Sequence, residues 1–127
     1  MGAVTVLVIG EGAAESALVA AAFALQPEVR VTDAADVLEA AQRLESPSAP
    51  VVLALAGAAV LAEPRADLLT LLGARGIPVV GIAAGLTPAD KRRALDAGVR
   101  EVHDRPSEWR PYSELIESLA GRFIRTG

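Results

Sequence analysis

The chain has 127 residues, 52% apolar and 22% charged, which is enough for one hydrophobic core and too few for two ordinary domains. No apolar run reaches the roughly 18 residues of a bilayer crossing, and no basic region precedes Val4, so a cytoplasmic protein without a secretory leader is expected. The absence of cysteine excludes disulfides, thiolate zinc sites and cysteine nucleophiles, while a net charge of −4 disfavours nucleic acid and anionic membranes as partners.

The first strand is predicted at Val4–Ile9, an apolar run that ends in the turn Gly10-Glu11-Gly12. Gly10-Glu11-Gly12-Ala13-Ala14-Glu15 is similar to the dinucleotide fingerprint G-x-G-x-x-G, with Glu15 in place of the third glycine. A carboxylate in the first helical turn repels a pyrophosphate. A tight turn into a helix is the simpler reading, and binding of a nucleotide or small ligand at Gly10–Gly12 is the alternative.

A second strand follows at Val29–Thr32, and Asp33-Ala34-Ala35-Asp36 opens the second helix. Ser46-Pro47-Ser48-Ala49-Pro50 has the length of a helix-to-strand loop rather than a linker. The third strand, Val51–Leu55, does not alternate polar with apolar, as a parallel strand covered on both faces requires. Leu68, Leu69, Leu71 and Leu72 give the third helix a broad apolar face. A fourth strand is predicted at Pro78–Ile82. The helix after it starts at Thr87-Pro88-Ala89-Asp90, a hydroxyl cap with proline in the first turn, and stops near Gly98. The fifth strand is placed at Val99–His103, and Pro111 is expected to begin the last helix, with Tyr112, Leu115, Ile116, Leu119 and Phe123 at helical spacing. The alternation implies an α/β fold in three layers, helices on both faces of a five-stranded parallel sheet, as a single unit over residues 1–127.

Three segments carry a resemblance to a known family. Ala94-Leu95-Asp96-Ala97-Gly98-Val99-Arg100-Glu101-Val102-His103-Asp104-Arg105-Pro106 resembles the end of a response regulator receiver domain, where a helix ends in Ala-Gly and the fifth strand leads to Lys-Pro. Ile77-Pro78-Val79-Val80-Gly81-Ile82-Ala83-Ala84 is similar to the receiver fourth strand, and Asp36 with Glu39-Ala40-Ala41 to the start of its second helix. The resemblance spans nearly the whole chain. It implies the flavodoxin-like sheet order 2-1-3-4-5 and a place in bacterial two-component signalling or a phosphorelay.

Receiver chemistry needs an acidic pair after the first strand to hold Mg²⁺, an aspartate after the third, a hydroxyl after the fourth and a lysine after the fifth. The matching positions here are Gly10 and Glu11; Ala54, Leu55, Ala56 or Gly57; Ala83; and Arg105. One carboxylate is a poor anchor for a hard cation, and no acyl phosphate forms without a carboxylate nucleophile. The resemblance therefore implies a pseudo-receiver with no catalytic residue, bound metal or cofactor. Arg105 keeps a cation with a planar fork, and its expected partner is Glu11.

Binding to a protein partner or fused output domain then replaces phosphotransfer, with a homodimer among the expected assemblies. The expected interaction surface comprises Arg92, Arg93, Arg100, Trp109 and Tyr112, with the aromatics as anchors. His103 beside Asp104 has the composition of a general-base pair, but no nucleophile motif accompanies it, and a surface histidine is the simpler reading.

Overall fold

The computed structural model describes residues 3–10, 12–24, 26–45, 50–62 and 66–124. In chain order the elements are β1 (Val4–Ile9), α1 (Gly12–Ala22), β2 (Val29–Ala34), α2 (Val37–Glu45), β3 (Val51–Ala56), α3 (Ala58–Ala62), α4 (Ala66–Ala74), β4 (Val79–Ala83), α5 (Pro88–Ala97), β5 (Glu101–Asp104) and α6 (Trp109–Phe123). Every strand pairing is parallel, and the sheet order is β2-β1-β3-β4-β5, as the resemblance implies.

The continuous apolar runs follow from a sheet with two dry faces. Along β1, Leu7 and Ile9 point to one side, against Ala40 and Leu44 of α2, Leu61 of α3, Leu68 and Leu72 of α4, and Ala94 of α5. Val6 and Val8 point to the other, against Val19 of α1 and Tyr112, Ile116 and Leu119 of α6. Strand side chains alternate across the sheet, so each face needs its own apolar set, and a polar residue at either set would lose its water. Among the described residues no helix is long and apolar enough to cross a membrane.

Helix α5 has the end signals read from the sequence. Thr87 accepts the Asp90 N–H at 3.1 Å, and the Asp90 carboxylate accepts the Thr87 N–H at 3.1 Å, a reciprocal capping box. These bonds hold the Asp90 carboxyl below its ordinary value. At the other end Gly98 takes φ 120°, a conformation that side chains disfavour, and stops the helix.

The ends of β3, β4 and β5 shift by one or two residues from expectation, and three further differences have a physical reason. β2 runs on to Ala34, because β1 continues to pair with it through Ile9, so Asp36 rather than Asp33 opens α2 and accepts the Glu39 N–H at 2.9 Å. α6 starts at Trp109 instead of Pro111; a proline in the first turn lacks only an N–H that has no helical partner there. The Ala-rich stretch after β3 forms the helix α3, for which no helix was expected.

Candidate functional site

The carboxyl ends of β1, β3, β4 and β5 form one end of the sheet, and most of the candidate pocket residues meet there. Ile9 pairs with Ala56, Ala56 with Gly81, and Ala83 with Asp104. Gly10, at φ 83°, turns the chain out of β1, and its N–H bonds the Ala34 carbonyl at 2.9 Å. Arg105 follows β5, with its N–H on the Ala83 carbonyl at 3.0 Å. Glu11 lies outside the described residues.

The β3 positions are buried and apolar. Ala54 and Ala56 face α2 to α5, whereas Leu55 faces α1 and α6. Ala83 is buried on the same side as Ala56. Leu61 of α3 lies flat on Gly81, and a Cβ placed there would stand 2.6 Å from Leu61 Cδ2. A short helix thus covers the sheet two residues ahead of Ala83. On the other face, Leu55, Ile82, Glu15 and Tyr112 line a pocket of about 10 Å³, at the lower limit for one water.

Arg105 is held by α1. Its Nη2 donates to Glu15 Oε1 at 2.9 Å, and its Nε lies 3.2 and 3.3 Å from the two carboxylate oxygens. Tyr112 of α6 donates its hydroxyl to Glu15 Oε2 at 2.5 Å, and the guanidinium carbon lies 5.1 Å from the Tyr112 ring centroid. Glu15 is the only ionisable residue of α1, and its side chain is 15% exposed. The cluster joins α1, the β5–α6 connection and α6 through charge-assisted bonds. Glu15 is the carboxylate that the described residues place on Arg105, and the expected Glu11–Arg105 pair falls on a residue outside them. Both Glu15 oxygens are engaged, Oε1 by the guanidinium and Oε2 by the Tyr112 hydroxyl and more loosely by Arg105 Nε.

The expected interaction residues differ in exposure and place. Arg92 and Arg93 are exposed on α5, and Arg100 is exposed ahead of β5, whereas Trp109 follows the opposite end of that strand. Trp109 is 48% exposed and shares a cleft of about 230 Å³ with Leu18, Pro106 and Ser107. Tyr112 is buried, because its ring is needed under Arg105 and its hydroxyl on Glu15, so it does not face a partner.

His103 is half-buried and pairs with Glu101, Nε2 to Oε1 at 2.8 Å, while Asp104 turns to Lys91 at 3.1 Å. The suggested His103–Asp104 pair is absent because successive strand residues point to opposite faces. Glu101 also receives Arg122 of α6. That bond first, and His103 second, hold the Glu101 carboxyl below its ordinary value of 4.5. A depressed carboxyl stabilises the fold above its unfolded value and loses that contribution as pH falls through the folded one. Glu101→Gln is thus expected to lower the melting temperature at neutral pH and to approach the parent chain as the pH drops below 4.5. Paired melts across acid pH check this.

Sequence reasoning missed Glu15 and the Leu61–Gly81 contact. Glu15 left one signal, a lone charge in an otherwise uncharged helix. The glycine inside a buried strand was the other, since such a residue marks a close approach.

No protein-family model and no curated protein matches the sequence. Solved structures match it throughout. The phosphorylated cyanobacterial phytochrome response regulator RcpA aligns with a TM-score of 0.77 at 16% identity, over 100% of this chain and 97% of that one. The fold is that of response regulator receiver domains. A response regulator in red light signaling of R. palustris gives 0.75 at 18% identity, over 97% of this chain and 95% of its own. NtrX from Brucella abortus, solved in complex with ADP, gives 0.73 at 18% identity. This receiver-fold chain covers 99% of its own length there but spans only 27% of NtrX.

Proposed function

We propose that this chain is a pseudo-receiver, a signalling module of a bacterial response regulator or hybrid signalling protein that works by phosphorylation-independent protein contact. The observation that carries the reading is the set of groups at the strand ends. Ala54, Leu55 and Ala56 stand where a receiver needs its aspartate, and Ala83 stands where it needs a hydroxyl. The remaining cation, Arg105, is neutralised by Glu15 and shielded by Tyr112. An internal carboxylate then takes the place that metal and phosphoryl charges occupy in a working receiver.

On this reading the domain has no reaction and no resident cofactor. It serves a partner protein or a fused output domain, with Arg92, Arg93, Arg100 and Trp109 as exposed contacts and Tyr112 as an internal brace. Intact mass after incubation with Mg²⁺ and acetyl phosphate, beside a phosphorylatable receiver, tests it. No mass gain is expected. A stoichiometric, Mg²⁺-dependent phosphoryl adduct would overturn the proposal.

A further inference from the structure

Charge is divided unevenly along the chain. Residues 1–74, which supply β1 to β3, carry nine acidic and three basic side chains; residues 75–127, which supply β4 and β5, carry seven acidic and nine basic. The order β2-β1-β3-β4-β5 puts these halves at opposite edges of one sheet. Around α2 and β2 the acids Glu28, Asp33, Asp36, Glu39 and Glu45 outnumber Arg30 and Arg43, whereas on α5 and the turn after it Lys91, Arg92, Arg93 and Arg100 outnumber Asp90 and Asp96.

Each edge also presents an exposed leucine on the same sheet face. Leu38 of α2 is 69% exposed, and Leu95 of α5 is 47% exposed. Ala40 and Leu44 of α2 and Ala94 of α5 enter the same core cluster, so both helices cover one side. Asp36 and Glu45 flank Leu38 at the two ends of α2, where Arg43 is already engaged by Glu39 at 3.5 Å. Arg92 and Arg100 flank Leu95, and neither has an ion-pair partner among the described residues. The other cations of α5 are held, Lys91 by Asp104 and Arg93 by Asp90, and Asp96 is the acid left on that surface.

We infer that this protein associates head to tail with further copies of itself, α5 of one copy lying antiparallel on α2 of the next. Antiparallel pairing seats Leu95 on Leu38 and brings Arg92 toward Glu45 and Arg100 toward Asp36. Opposite charges are matched in order along the two helices, while a two-fold pairing of either edge with itself would oppose like charges. Surfaces that differ make a heterologous contact, which repeats without limit unless a ring closes. The contact is expected to weaken with salt, because its ion pairs lie at a solvated rim. It does not rest on the signalling reading, and phosphorylation chemistry does not enter its test.

Sedimentation velocity of the full chain over a wide concentration range at low salt decides it. The average mass is expected to rise past the dimer and to fall back in high salt. Leu38→Asp and Leu95→Asp each remove one of the two surfaces and leave the core intact, as unchanged circular dichroism verifies. Each variant alone is expected to stay monomeric, and an equimolar mixture is expected to form heterodimers and nothing larger, since one intact surface remains on each partner. A parent chain that is monomeric at every concentration would overturn the inference. So would a parent dimer that neither grows nor reappears on mixing the two variants.

Discussion

Gly81→Val is expected to destabilise the protein by about 3 kcal/mol, the upper part of the range for overpacking a dense core. The added Cβ would stand 2.6, 2.9 and 3.2 Å from Cδ2, Cδ1 and Cγ of Leu61, so the whole isobutyl group must move and not only its tip. Leu61 is fully buried between α3 and β4 and has no solvent to move into. For a chain of this length the loss corresponds to a fall of about 10 °C in melting temperature. Leu61→Ala alone leaves a cavity and is expected to cost about 2–4 kcal/mol. Combined with Gly81→Val, it frees the volume that valine needs, so the double variant is expected to be more stable than the sum of the two. Additive losses in thermal melts would show that α3 does not pack on Gly81.

Arg105→Ala is expected to lower stability by about 2 kcal/mol, below the 3–5 kcal/mol of a fully buried pair because its side chain is 31% exposed. The larger part of that loss comes from Glu15, whose carboxylate keeps only the Tyr112 hydroxyl after losing the guanidinium. Arg105→Lys restores the charge without the fork and is expected to recover part of the loss. Glu15→Gln with Arg105→Ala is expected to cost less than Arg105→Ala alone, since no unpaired charge then remains. Hydrogen exchange at the start of α6 should quicken in Arg105→Ala, because Tyr112 loses the guanidinium packed on its ring.

The parallel sheet was legible because two dry faces force unbroken apolar strands, and its order followed from the resemblance carried in part by the Ala-Gly stop and Arg105-Pro106. Helix ends were less legible. Trp109 and Arg110 precede the proline that marks the first turn of α6, and nothing local separates them from loop. At the candidate site, the residue types at Ala54, Leu55, Ala56, Ala83 and Arg105 could be read directly. The bond from Arg105 to Glu15 could not, since it spans 90 residues of sequence and forms only because α1 and α6 share a sheet face. Tyr112 was assigned to a surface for a similar reason: helical spacing places it on the core side, and only the fold shows that its hydroxyl finds a carboxylate there.

The most direct measurement is the amide spectrum of the ¹⁵N-labelled chain with Mg²⁺ and beryllofluoride, a mimic of the phosphoryl group. The signals of Gly57, Ala83, Gly85 and Arg105 surround the strand ends and report any ligand or movement there. If Glu15 and Arg105 already neutralise one another, those signals are expected to stay in place at every concentration. Saturable shifts at these residues that require both Mg²⁺ and beryllofluoride would contradict the account and reveal a working phosphoryl site.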